Sequence, residues 1–103
     1  MDLVCIETYS ENARLLDKIA TFVIEAKIAV LCNLTDTNIT LLENHAKRRI
    51  RGQKLSIITK QEHRKTVIRL ILDNHNEDDP KITVHELQTG TLATEEWVHE
   101  NIG

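Results

Sequence analysis

Aromatic residues are almost missing from this chain: Tyr9, Phe22 and Trp97 are all it has. Its core must therefore be assembled from Leu, Ile, Val and Ala. Proline occurs once, at Pro80, and glycine three times, which excludes collagen-like and Pro/Gly-rich low-complexity classes. The two cysteines, Cys5 and Cys32, form no Cys-x-x-Cys pair and no Cys/His pattern with zinc-finger spacing. Both lie in apolar surroundings, the setting of small reduced core residues in a reducing compartment, with copper ligation or redox chemistry as the less favoured reading. Positive charge is not in excess: the formal net charge is −3, which argues against a general nucleic-acid binder. No apolar run approaches the roughly 20 residues needed to span a bilayer. The N-terminus carries Asp2 and Glu7 and lacks a basic segment followed by an apolar one, so no secretory leader is expected. The expectation is a cytoplasmic protein without a nucleic-acid or membrane partner.

What is present reads as one domain over residues 1–103. An apolar content of 41% and a charged content of 28% are ordinary for a globular chain. Leu3-Val4-Cys5-Ile6 reads as a buried first strand. Ser10 or Asn12 then caps a helix whose stripe runs through Leu15, Leu16, Ile19, Ala20, Phe22, Val23 and Ile24, ending near Lys27. Ile28 to Leu34 is continuously apolar, as in a second strand buried in a sheet. Residues 35–53 read as a long hairpin with the polar segment Lys47-Arg48-Arg49-Ile50-Arg51-Gly52 at its exposed tip. Leu55, Ile57 and Ile58 belong to a third strand. A second helix spans Gln61 to Asn74, with Val67, Leu70, Ile71 and His63 on its inner face. Pro80 stops any continuation. Ile82, Val84 and Leu87 mark a fourth strand, and Ala93 to Ile102 a short terminal helix carrying Trp97.

The order β-α-β-β-α-β plus a helix is the split βαβ pattern. It predicts an α+β, ferredoxin-like domain with an antiparallel sheet, a long β2–β3 hairpin and a short C-terminal helix. That fold hosts many functions and by itself fixes none.

Several local features share an order and spacing with one family. Ile28-Ala29-Val30-Leu31-Cys32-Asn33-Leu34 matches an apolar strand closing on cysteine and Asn-Leu. Ser56-Ile57-Ile58-Thr59-Lys60 matches an apolar strand ending near Lys-Thr. His75 and Pro80 match the ends of a His-Pro-Tyr-x-x-Pro loop, and Gly90 and Trp97 match a Gly followed seven residues later by Trp. On these residues the chain resembles the CutA divalent-cation tolerance proteins, as a divergent member in which basic residues replace the hairpin's Trp-x-Gly-Lys segment. The resemblance implies a homotrimer joined by edge strands and hairpins. It also implies binding of a divalent metal ion, copper or zinc, or of a small ligand at subunit clefts, and no enzyme. CutA proteins are similar in fold and trimeric assembly to the PII signalling proteins, so a PII-like nucleotide sensor is the alternative, and a structural interaction module the plainest one.

Candidate residues follow. His75 carries imidazole, the commonest protein ligand for borderline divalent metals, among Asp73, Glu77, Asp78 and Asp79. The competing reading is a solvated acidic loop with a surface histidine. Lys47, Arg48, Arg49, Arg51 and Lys54 could grip an anion bidentately, or simply guard a strand edge. His85 alternates outward on its strand and reads as a surface or interface residue. No Gly-x-Ser-x-Gly elbow or other catalytic arrangement is present. Trp97, the only Trp, is expected to be largely buried as the anchor of the terminal helix, against the sheet or a neighbouring subunit.

Overall fold

The computed structural model of the chain describes residues 2–103. Four strands and three helices follow the expected order: β1 (Leu3–Ser10), α1 (Ala13–Glu25), β2 (Leu31–Glu43), β3 (Ala46–Lys60), α2 (Arg64–Asn74), β4 (Ile82–Leu87) and α3 (Leu92–Asn101), with a 3-10 turn at Gln61–His63 leading into α2. The sheet order is β2-β3-β1-β4 with every neighbouring pair antiparallel, so the chain is an α+β protein of ferredoxin-like topology.

β1 shows how the layers form. Successive side chains point to opposite faces of a strand. Val4, Ile6, Thr8 and Ser10 are all buried, facing the helices. Leu16, Ile19, Ala20 and Val23 of α1 and Val67 and Ile71 of α2 pack there with Leu55 and Ile57 of β3. Leu3, Cys5, Glu7 and Tyr9 point the other way. That second face is roofed only at one end, where Val98 and Ile102 of the C-terminal segment meet Leu3 and Leu87. Lys60 ties this end down by donating from Nζ to the Ile102 carbonyl at 3.1 Å.

The structure corrects the sequence reading at four places. The first strand does not stop at Ile6 but runs to Ser10, because Glu7 and Tyr9 occupy the open face. The stripe of α1 is narrower than expected: Phe22 and Ile24 are exposed. The second strand begins at Leu31, not Ile28. Lys27, at φ 58°, closes α1 with paired bonds from Lys27 N–H to Ile24 O and Ile28 N–H to Val23 O, a Schellman motif that uses up the intervening residues. The hairpin tip is Asn44-His45, both at positive φ as a type I′ turn requires, while residues 47–52 lie within β3. Trp97 is 41% exposed within this chain, so of its two expected anchors the sheet is not the one that covers it. Within this chain α3 is anchored instead by Val98 and by Ile102 one turn on, and Trp97 lies about 100° round the helix from that face.

Asn12, rather than Ser10, is the side-chain cap of α1, accepting from the Leu15 N–H at 3.1 Å. Gly52 is required by proximity alone, since a Cβ there would overlap the Ser10 carbonyl oxygen. The hairpin extends the molecule to 44 × 24 × 22 Å.

Candidate functional site

On the open face of the sheet the pleat brings three donors together. Cys5 lies directly opposite His85 across the β1–β4 ladder, and Glu7 directly opposite Ser56 across the β1–β3 ladder. All four side chains stand on the same side. The Cys5 sulfur, a Glu7 oxygen and a His85 nitrogen lie within 4.8 Å of one another, and no other group of three such donors occurs among the described residues.

The carboxylate is held in a defined orientation. Ser56 Oγ donates to Glu7 Oε2 at 2.6 Å, and Lys54 Nζ lies 3.4 Å from the same oxygen. That leaves Oε1 facing His85 Nε2 at 3.1 Å. The Ser56 hydrogen bond is the main reason that the Glu7 carboxyl is held below the usual carboxylate range, with Lys54 and His85 adding to it against the cost of burial. Burial, followed by the neighbouring Glu7 charge, pushes the Cys5 thiol up. Glu7 is 19% exposed and His85 55%, so the cluster opens to solvent on the His85 side.

The expected site residue, His75, sits on the opposite side of the molecule at the end of α2. Its Nδ1 accepts from the Glu77 N–H at 3.2 Å, which makes Nε2 the protonated nitrogen, donating to the Tyr9 carbonyl at 3.1 Å. Asn76 accepts from Ser10 Oγ at 2.9 Å, so the loop is latched to the end of β1. The carboxylates of its own loop do not gather round His75 as metal donors. It borders instead a groove of about 390 Å³ between α1 and α2, with Leu15, Ile19, Phe22 and Leu70 on its apolar side.

The basic segment divides by strand parity. Arg48 pairs with Glu43 at 2.8 Å and Glu11 at 3.4 Å, and Lys54 pairs with Glu7. Lys47, Arg49 and Arg51 alternate onto the other face of the hairpin. Cys32 turns into the helix-side core with its sulfur 3.9 Å from the Ala20 carbonyl, remote from Cys5, and both thiols are free.

Sequence reading missed Glu7 as a partner and saw His85 only as an outward residue. The available signal was Cys5-x-Glu7, a period of two on β1. It is hidden because the apolar run stops at Ile6 and because nothing local says that β4 lies beside β1.

Comparison with known proteins separates sequence from shape. No family model and no curated protein sequence matches this chain. Solved structures match over its whole length. CutA1 from Oryza sativa aligns with a TM-score of 0.90 at 16% identity, covering 100% of this chain and 95% of that one. The chain has the CutA fold. CutA from Synechococcus elongatus gives 0.90 at 19% identity, covering 99% and 91%. The periplasmic divalent cation tolerance protein CutA from Archaeoglobus fulgidus gives 0.90 at 16%, covering 98% and 99%. The match to the Oryza sativa structure spans every element of this chain, the long hairpin and α3 included. No helix among the described residues is long and apolar enough to cross a membrane.

Proposed function

We propose that this chain is a divergent CutA-like protein that acts as a homotrimer and binds a divalent cation in a tolerance or signalling role, by binding rather than by catalysis. The observation that carries this reading is the end-to-end match to CutA structures, several of them described as divalent-cation tolerance proteins. The donor chemistry supports it: thiol, imidazole and carboxylate together suit copper or zinc. The form of the chain supports assembly. β2 and β4 are open edges, and the hairpin carries Leu42 77% exposed at its end, surface that a subunit interface would cover.

His75 remains the ligand that the family resemblance suggests. To coordinate an ion it must release either the Glu77 N–H, a contact within the loop, or the Tyr9 carbonyl, and binding through Nε2 would thus loosen the loop from β1. Native mass spectrometry of untagged protein, with and without zinc or copper, tests the reading. The expected species is a trimer that takes up divalent cation stoichiometrically. A monomer at micromolar concentration that takes up neither ion would overturn it.

A further inference from the structure

The open-face cluster has a more specific chemistry than a general cation affinity. We infer that Cys5, Glu7 and His85 form a binding site for a thiophilic divalent ion of the zinc class, with Lys54 as a built-in competing cation; this rests on the cation-binding reading above and assigns its site. The geometry is close to what coordination needs. Zinc bonds of about 2.0–2.3 Å in a tetrahedron put donor atoms about 3.3–3.8 Å apart. The three donors are within 4.8 Å already, so shifts of about 1 Å close the set. Cys5 and Glu7 are two residues apart on one strand and His85 is the cross-strand partner of Cys5. The backbone ladder, rather than a loop, therefore sets the spacing.

Each ligand also has a defined state. Glu7 offers Oε1, because Oε2 is taken by Ser56 and Lys54. His85 Nε2, 3.1 Å from that oxygen, donates to it in the metal-free protein, and becomes a ligand when its proton passes to solvent and the neutral ring carries its remaining proton on Nδ1. Cys5 binds as thiolate, its proton passing to solvent as the sulfur–metal bond forms. Three protein donors leave the fourth tetrahedral position, on the His85 side, for water, an exchanging ligand or a donor from a neighbouring subunit. Sulfur in the set selects zinc-like and softer ions over magnesium or calcium, which take oxygen. Lys54 supplies the counter-charge for Glu7 in the metal-free protein, and its charge opposes an incoming dication.

The test uses the full-length protein with cobalt as spectroscopic probe and zinc for affinity. Cobalt should give a thiolate charge-transfer band that disappears in Cys5→Ser and persists in Cys32→Ser. Zinc affinity should fall by roughly a hundredfold or more in His85→Ala, since loss of a group that merely orients a metal ligand already costs about 10–100-fold. Glu7→Gln should weaken zinc and Lys54→Met should tighten it. His85 is exposed within the protomer, so its variant keeps the fold, sedimentation controls for its assembly, and thermal unfolding controls for the Cys5 and Glu7 variants. If wild type binds zinc but His85→Ala and Cys5→Ser bind equally well while His75→Ala does not, the open-face site is wrong and the cation-binding reading stands. If wild type binds neither zinc nor copper at millimolar concentration, both fail.

Discussion

Two cysteines with similar local sequence environments end up with different chemistry because of the side of the sheet each faces. Cys5 shares its face with Glu7, Ser56 and His85. Cys32 faces the α1 side and sees chiefly Ala20 and other apolar groups. Burial pushes the Cys32 thiol up to about 11 from its ordinary 9.0. A thiol raised in the folded state stabilises the protein fully below the unfolded value. The unfolded chain ionises first as pH rises above 9.0, and the contribution is lost by about 11. Urea unfolding at stepped alkaline pH should therefore show wild type losing stability faster than Cys32→Ala across that window. Parallel curves for the two proteins would show that Cys32 has no such coupling. The same burial makes Cys32 a poor nucleophile, so native-state alkylation near neutral pH should be slow at this position.

At the scale of elements, the structure depends on residues that adopt the left-handed backbone without being glycine. Asn44 suits the hairpin turn, since Asn tolerates that region better than most residues. Lys27 does not: it sits at the C′ position of α1, where glycine is the usual occupant. Its side chain is exposed, so nothing is lost from the core on replacement. Lys27→Gly should stabilise the protein by about 0.5–1 kcal/mol, the left-handed penalty of a non-glycine residue less the extra freedom glycine gains in the unfolded chain. An equilibrium denaturation midpoint that stays put or falls would show that this penalty is already relieved in the native protein. The hairpin tip was misplaced from sequence for a related reason. Asn44-His45 is a weak turn signal beside the polar run 47–52, whose charge mimics the exposure of a tip. In the fold those charges alternate across a two-stranded arm whose faces are both accessible to solvent along much of its length, so polarity there says nothing about a turn.

At the scale of the molecule, one protomer leaves much apolar surface uncovered for a chain with a small aromatic content. Leu42, Phe22, Leu92 and Trp97 are all exposed. In the proposed trimer the hairpin is the element that reaches furthest from the core, and Leu42 is its most exposed apolar residue. Burying a leucine contributes about 1.5–3 kcal/mol. Leu42→Glu should accordingly raise the concentration at which the oligomer dissociates by about tenfold or more while leaving far-ultraviolet circular dichroism unchanged. Sedimentation over a dilution series checks it. An unaltered dissociation range would place the tip outside the interface.

Sequence alone determined the element order, the fold class and most of the core. These follow from short-range periodicity: alternation on β4, a helical stripe on α1 and α2, and a polar run after Asn74 that closes with Pro80. Local spacing also carried the likeness to CutA, at a level of identity too low for the sequence comparisons to register. Tertiary structure alone decided which face each β1 residue occupies, that β4 lies beside β1, and hence that Cys5, Glu7 and His85 meet. It also decided that His75 is engaged on both nitrogens. Contacts between residues nearly eighty positions apart depend on strand pairing and register, and a shift of one residue would carry either cysteine to the other face of the sheet.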